Sequence, residues 1–139
     1  MNQPTGELTH NGENFTYHFV SGAECSLLAF SFESNFEGVR LDNTVNVVGF
    51  GNSLIKSTRQ VKASVIVDGI GIDILFHIVP DQYLAFPIVV GREIISKHLT
   101  MTVTKTKCML TKYNVGTASS VKVEVNTMDG DHLLGESDL

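Results

Sequence analysis

The sequence predicts an all-β domain, a barrel of about eight or nine short strands with one short helix. Runs of branched and aromatic residues recur along the chain, and turn signals separate them. Asn11-Gly12 and Asp68-Gly69 are pairs that type I′ hairpin turns favour, because both central positions of that turn need φ > 0. Only residues 91–98 have the length and composition of a short helix. Many short strands with almost no helix are typical of barrels and sandwiches.

Composition restricts the classes of function. A chain of 139 residues suits one domain and buries roughly two thirds of its unfolded surface, enough for a core without metals or disulfides. The 42% hydrophobic and 18% charged residues are ordinary for a globular chain, and no apolar run approaches the roughly 20 residues of a membrane helix. The net charge of −5 argues against a nucleic-acid surface, which needs clustered Lys and Arg. We therefore expect neither nucleic acid nor membrane as a partner.

The cysteines and histidines do not indicate metal or disulfide chemistry. Cys25 and Cys108 are too few for a disulfide scaffold and lack the His and Cys spacing of a zinc site. The five histidines show no ligand spacing either. We therefore expect no metal, no cofactor, and a reduced cysteine pair, which indicates an intracellular, cytoplasmic location.

The first elements in the chain are a hairpin and a polar loop. Residues 14–20 alternate aromatic or branched residues with polar ones, the pattern of a half-buried strand, and residues 7–10 precede them across Asn11-Gly12. Ser21-Gly22 then ends the second strand in a tight loop. Residues 26–32 are too densely apolar for an exposed element and predict a buried strand.

A hairpin with glycines at its tip is predicted in the middle of the chain. Residues 35–43 form a polar connection, and residues 44–48 lead into the turn Gly49-Phe50-Gly51-Asn52-Ser53. Residues 54–67 leave this turn as one long β-rich run. Without the neighbouring motifs, this pattern indicates an ordinary glycine hairpin.

The rest of the domain is predicted to hold four strands and the short helix. The strands are expected at residues 72–79, 87–90, 99–104 and 107–112, with the helix at 91–98. From residue 114 the chain becomes small and polar, although Val121, Val123 and Val125 alternate as the residues of one more strand would. We therefore expect one domain over residues 1–113, with its core at about 7–112, and a polar C-terminal segment over 114–139.

Three motifs together resemble one known family. Residues 20–24 read Val-Ser-Gly-Ala-Glu, where the active-site loop of retroviral-type aspartic proteases reads Asp-Ser/Thr-Gly-Ala and an acidic residue. Residues 47–53 resemble the glycine-rich flap tip of that family, and residues 87–95 resemble its apolar-apolar-Gly-Arg strand and following helix. The order and spacing are also those of the family. The resemblance covers residues 15 to about 110 and is strongest to proteases of gypsy-type retrotransposons.

The resemblance implies a retropepsin-like closed barrel with a flap hairpin, and it places Val20 at the position of the catalytic aspartate. Aspartic proteases hold two carboxylates about 3 Å apart that share one proton. In the retroviral type each subunit of a homodimer supplies one of them. Valine has neither proton nor charge, and losing a general acid or base costs about 10² to 10⁴ in rate for each role. No hydrolysis is therefore expected from the chain as written.

The resemblance also implies roles for the other loop and flap residues. The Ser21 hydroxyl corresponds to the group that links the two loops at the dimer axis, and Glu24 is expected to form a structural ion pair with Arg92. The implied partners are a second copy of the chain and an extended peptide or polyprotein segment. The implied substrate-binding positions are Gly22, Ala23, Glu24, Gly49, Phe50 and Gly51.

Three classes of function are compatible with these residues. The first is an inactive protease-like domain of retroelement origin that dimerises or binds peptides. The second is an aspartic endopeptidase that processes a retrotransposon polyprotein, present here in a form silenced at Val20. A third and weaker class is a monomeric β-barrel binding protein that resembles the proteases by accident. The first two classes predict the same fold and the same absence of activity.

Overall fold

The computed structural model describes residues 4–48, 54–95 and 99–112. Within these ranges the chain forms eleven strands and three 3-10 turns. The strands are β1 Thr5–His10, β2 Glu13–Phe19, β3 Ser26–Ala29, β4 Val39–Leu41, β5 Val45–Val48, β6 Leu54–Ser57, β7 Arg59–Val67, β8 Ile70–Val79, β9 Ile88–Val90, β10 Leu99–Val103 and β11 Cys108–Lys112. The 3-10 turns are Phe30–Asn35, Asp81–Tyr83 and Arg92–Ile94. No helix in these ranges is long and apolar enough to cross a membrane.

Six of the strands close into a barrel. Their order is β1-β2-β9-β3-β8-β7, and β7 pairs back onto β1 where Leu8 lies opposite Val67. The β2–β9 and β3–β8 pairs are parallel, and the other four pairs in the ring are antiparallel. β4 pairs with residues 60–62 in the first part of β7, and the β5–β6 and β10–β11 hairpins form two separate sheets. The predicted all-β closed barrel is confirmed.

The two predicted hairpin turns have the backbone that their sequences favour. Asn11 and Gly12 adopt φ of 52° and 83°, and Asp68 and Gly69 adopt φ of 50° and 80°. Positive φ at both central positions is the property of a type I′ turn, and its twist matches that of the flanking strands. The β1–β2 and β7–β8 hairpins are therefore defined locally by these dipeptides.

Two apolar clusters hold the domain together. The main core joins the barrel strands to the β10–β11 hairpin, and its largest side chains, including Tyr17, Phe19, Phe36 and Phe76, are fully buried. A separate group, here called the second cluster, joins strands of the barrel to the β5–β6 hairpin. Its buried members are Leu27, Val47, Ile55, Val79 and Val89, and the partly buried side chains packed against them are Val20, Cys25, Val45, Leu84 and Phe86.

The apolar run at residues 26–32 does not form one strand. β3 ends at Ala29, and the 3-10 turn Phe30–Asn35 follows. The Ser31 amide donates to Asp81 Oδ1 at 2.9 Å, which turns the backbone away from the sheet. Phe30 is 56% exposed, and the Arg59 guanidinium lies 5.0 Å from its ring centroid. The prediction of a buried strand over the whole run was therefore wrong beyond Ala29.

Two further boundaries differ from the sequence prediction. The polar connection at residues 35–43 contains β4, a strand that its polar composition concealed. The run at residues 54–67 is divided at Thr58 into β6 and β7, which belong to different sheets. At the break, Ser57 Oγ lies 2.8 Å from the carbonyl oxygen of Ile78 and replaces part of the strand pairing. These divisions explain why the described residues hold more strands than predicted.

The predicted helix at residues 91–98 begins as the 3-10 turn Arg92–Ile94. Residues 96–98 lie outside the described part of the chain, as does the predicted C-terminal segment at 114–139 with Val121, Val123 and Val125.

Candidate functional site

The loop that starts at Val20 is attached to the end of β9. The Val20 amide donates to the carbonyl oxygen of Val90 at 3.0 Å, which extends the parallel β2–β9 pairing by one residue. The Ala23 amide then donates to the carbonyl oxygen of Val20 at 3.0 Å and closes a tight turn around Ser21 and Gly22. The loop is therefore held at both ends, and Ser21 and Gly22 are exposed at its tip.

Residues 91–93 support the loop from the other side. The Arg92 amide donates to the carbonyl oxygen of Ala23 at 2.8 Å, and the Gly91 amide donates to Ser26 Oγ at 3.1 Å. The Ser26 amide in turn donates to Glu93 Oε2 at 3.2 Å. Sequence reasoning missed Ser26 and Glu93, because these partners are 67 residues apart and neither belongs to a local pattern.

Gly91 is required by the close approach of these two segments. A Cβ atom built there would lie 2.5 Å from the carbonyl oxygen of Cys25 and 2.6 Å from that of Ala23. Both neighbours are backbone atoms and have little freedom to move aside. The glycine of the Gly91-Arg92 pair therefore serves packing against the loop rather than an unusual φ.

Arg92 and Glu24 are brought together at the surface. Arg92 Nη2 lies 3.2 Å from Glu24 Oε2, and the two side chains are 49% and 80% exposed. Pairs in such solvent-exposed positions typically contribute between 0 and about 1 kcal/mol, because water screens the charges. The pair therefore contributes little energy, and the backbone hydrogen bond from Arg92 to Ala23 is the firmer connection.

Burial also alters the titration of groups beneath the loop. Desolvation raises the pKa of Glu93 above its ordinary value, and the hydrogen bonds from Ser26 oppose that rise. Desolvation raises the pKa of Cys25, and the nearby Glu93 and Glu24 carboxylates raise it further. Cys25 and Cys108 are both free thiols. A thiol with a raised pKa stays protonated at neutral pH, so Cys25 has little nucleophilic character.

Val20 itself is half-buried and packs against the second cluster. The same cluster includes Val47 from β5 and Ile55 from β6, so the stem of the hairpin and the loop share one apolar contact region. The predicted flap-tip residues Gly49, Phe50 and Gly51 lie outside the described residues. Of the predicted site residues that are described, Ala23 is half-buried, whereas Ser21, Gly22 and Glu24 are exposed.

The chemistry available at this loop is limited. At Val20 there is an aliphatic side chain that neither donates nor accepts a proton. Within residues 4–48, 54–95 and 99–112, no three His, Cys, Asp or Glu side chains are grouped so that they could hold a metal ion.

Comparison with known proteins supports the fold. Neither a protein-family model nor a curated protein sequence matches this chain. Among solved structures, EIAV protease complexed with the inhibitor HBY-793 is similar to it, with a TM-score of 0.55 and 16% sequence identity. The match covers 68% of this chain and 86% of that one. At such low identity the likeness concerns the fold alone, and it shows that the barrel described above is of the retropepsin-like type.

Proposed function

We propose that this chain is an inactive aspartic-protease-like domain that forms a homodimer and binds an extended peptide. In this proposal Val20 occupies the position of the catalytic aspartate, and the domain is of retroelement origin, most similar to gypsy-type proteases. The observation that carries the proposal is the loop itself. Its backbone is hydrogen-bonded to Val90 at one end and to Arg92 at the other, yet the side chain at its start has no proton to transfer.

The missing carboxylates argue against hydrolysis. In the retropepsin mechanism the two carboxylates of a dimer activate water and protonate the scissile carbonyl. Two valines perform neither role. Glu24 is not a substitute, because it is exposed and lies beside Arg92 rather than at the start of the loop. The proposed domain therefore binds without cutting.

The second cluster supports peptide binding. It lies between the hairpin stem and the floor of the barrel, next to the loop, and it contains side chains from five strands. The central members of the cluster are buried, so an extended peptide would lie along the partly buried side chains at its edge, such as Val20 and Leu84, and would gain main-chain hydrogen bonds along its length.

The exposed turn at Ser21 and Gly22 supports dimerisation in the proposed manner. Facing carboxylates repel one another, whereas two valines at a buried contact gain apolar burial. We therefore expect a dimer joined at the Ser21-Gly22 turns. A monomer in sedimentation velocity at micromolar concentration would contradict this and would favour a monomeric barrel binding protein.

The first prediction concerns a Val20→Asp variant. If only the carboxylate is missing, the variant cleaves a denatured protein mixture at mildly acidic pH, and pepstatin abolishes the cleavage, whereas the original protein does not cleave. Fragment formation is followed by gel electrophoresis and mass spectrometry. Val20→Asn is the matched control, because it introduces the same shape without an acid, and it should remain inactive.

The intact backbone around Val20 also favours a second candidate, an aspartic endopeptidase that processes a polyprotein and is silenced here by one substitution. Pepstatin-sensitive cleavage by the Val20→Asp variant supports this candidate, because the rest of the site would then be complete. Lack of cleavage by a folded, dimeric Val20→Asp variant contradicts it and leaves the binding domain as the function.

A further inference from the structure

Two histidines lie in one row of side chains on the face of the barrel that the β5–β6 hairpin covers. His18 of β2 lies opposite Val89 of β9. On the other side of Val89 comes Leu27 of β3, and His77 of β8 lies opposite Leu27. Residues that alternate with the row along the strands, such as Phe76, belong to the main core. The row therefore faces away from the main core.

The stem of the β5–β6 hairpin packs on this row. Val47 and Ile55 of the stem are buried in the second cluster together with the two apolar residues of the row. Phe86 packs against the same cluster, and its ring stacks on His18 with centroids 3.7 Å apart and an interplanar angle of 7°. The stem and the Phe86 ring therefore separate the row from solvent.

His77 adjoins both points at which the hairpin is attached to the barrel. It lies opposite Gln60 of β7, whose side chain binds the amide and the carbonyl oxygen of Asn43 before the hairpin. The next residue in the chain, Ile78, accepts the hydrogen bond of Ser57 at the end of the hairpin. A change at His77 therefore acts next to both attachments.

Both imidazoles of the row have a buried nitrogen without a partner. Among the described residues, His18 Nδ1 and His77 Nδ1 are inaccessible to solvent and make no hydrogen bond. His10, a third histidine in a buried position, uses both ring nitrogens: Nδ1 lies 2.8 Å from the carbonyl oxygen of Ser64, and Nε2 accepts the Glu37 amide at 2.9 Å. The two rings of the row therefore differ from a histidine of the framework.

Protonation of these rings conflicts with their position under the hairpin. A neutral imidazole has one donor and one acceptor nitrogen, whereas the cation donates from both. The cation would place an N–H group without an acceptor, and a positive charge, against apolar side chains, which is unfavourable. Burial accordingly lowers the pKa of both histidines. His77 is only 6% exposed, whereas His18 is half-buried, so His77 carries the larger conflict.

The charged side chains nearby do not relieve this conflict. In the described part of the chain, those that share the face of the row are Glu7 of β1, Lys62 of β7 and Asp73 of β8, each at least two residues along its strand from the row. The carboxylates of Glu7 and Asp73 already accept hydrogen bonds from hydroxyl groups. Lys56 is exposed on the other face of the stem. Cys25, packed against the second cluster, has a raised pKa and is uncharged at neutral pH.

We propose that the β5–β6 hairpin is an acid-sensitive element, in which protonation of His77, assisted by His18, releases the stem from the barrel. Release gives each Nδ1–H group access to water and uncovers the second cluster beside Val20. The inference concerns the attachment of the stem and is independent of whether the domain binds a peptide.

The expected size of the effect follows from proton linkage. An exposed imidazole with a pKa near 6.5 is about 97% protonated at pH 5, so acid favours the released form by up to about 30-fold for each ring. The shift begins as the pH falls below 6.5. It ends at the lowered pKa values of the attached form, because that form is then protonated as well.

Amide hydrogen exchange measured by NMR at pH 7 and pH 5 tests the proposal. Each rate is expressed as a protection factor, which removes the intrinsic effect of pH on exchange. The reporter is the Asn43 amide, because its hydrogen bond to Gln60 is lost when the stem leaves the barrel. The reference is the set of amides in the β7–β8 ladder, which report opening of the whole barrel. We expect the protection of Asn43 to fall at least tenfold more than that of the reference, and an equal or smaller fall overturns the inference.

Histidine variants assign the effect to the row. His77→Leu should remove most of the additional fall at Asn43, and the His18→Leu/His77→Leu double variant should remove all of it. His10→Leu is the matched control, because His10 lies outside the row, and the fall relative to the β7–β8 ladder should remain. The same additional fall in the double variant overturns the inference.

A titration of the original protein keeps the test decisive if a variant does not fold. The imidazole NMR signals should give an apparent pKa below 6.5 for His77, and the loss of Asn43 protection should follow the protonation of that ring. A His77 ring that is protonated at pH 5 while the Asn43 amide stays as protected as at pH 7 refutes the proposal.

Discussion

Gly91 illustrates how a single residue determines the shape of the site. It allows the carbonyl groups of Ala23 and Cys25 to approach the end of β9 more closely than any side chain permits. The hydrogen bond from Arg92 to Ala23 depends on that approach. A glycine in this position therefore positions the loop without taking part in any chemistry.

For this residue we predict that Gly91→Ala destabilises the domain by about 1–3 kcal/mol, because the added methyl group would clash with the backbone atoms of Ala23 and Cys25. Urea denaturation measures the change. Gly71→Ala is the matched control, since its Cβ would meet nothing within 4 Å, and it should change stability by less than about 1 kcal/mol. Equal destabilisation by both variants would contradict the packing argument.

The β5–β6 hairpin is attached to the barrel by hydrogen bonds from polar side chains at its two ends. Gln60 of β7 is 1% exposed, and its amide accepts from the Asn43 amide at 3.1 Å and donates to the Asn43 carbonyl oxygen at 2.9 Å. Ser57, at the other base of the hairpin, contacts the Ile78 carbonyl oxygen. These two polar side chains attach both ends of the hairpin to the barrel.

We therefore predict that Gln60→Leu destabilises the domain by about 2 kcal/mol, because the backbone groups of Asn43 lose their partners. Limited proteolysis should show faster cleavage near residue 43, and urea denaturation gives the energy. Lys62→Leu, an exposed position on the same strand, should leave both measurements almost unchanged. An unchanged cleavage rate in Gln60→Leu would mean that the hairpin is attached by its apolar contacts alone.

For the whole molecule, the imidazoles of His18, which is half-buried, and His77, which is buried, make stability depend on pH. Burial lowers the pKa of His18 and His77 in the folded state below 6.5, so the unfolded chain binds protons more readily. The contribution of the neutral rings is fully present above pH 6.5 and is lost as pH falls from 6.5 through the folded pKa values. Glu93 acts in the opposite direction, because its pKa is raised in the folded state.

We predict that the urea concentration at the denaturation midpoint of the original protein decreases as the pH is lowered from about 7 to about 5. A His18→Leu/His77→Leu double variant should show a smaller decrease. Glu93 is present in both proteins, so the difference between the two curves isolates the histidines. Parallel curves would show that neither ring changes its protonation on unfolding.

Much of the domain was predictable because its causes are local. Alternating residues in β2 and the turn pairs Asn11-Gly12 and Asp68-Gly69 act through the backbone preferences of adjacent residues. The extent of β3 was not predictable, because Asp81, 50 residues away, binds the Ser31 amide and ends the strand. The division between β6 and β7 likewise depends on Ile78, a partner 21 residues from Ser57.

The sequence by itself determined the hairpin turns, the all-β character and the lack of an ionisable group at Val20, since each of these is a property of residues adjacent in the chain. Tertiary structure alone decided that β1 and β7 close the barrel, that Gly91 packs against the loop, and that the Nδ1 atoms of His18 and His77 are buried among the described residues without a hydrogen-bond partner. These features depend on the pairing of strands far apart in the chain, and such pairing is selected by the burial and hydrogen bonding of the complete barrel.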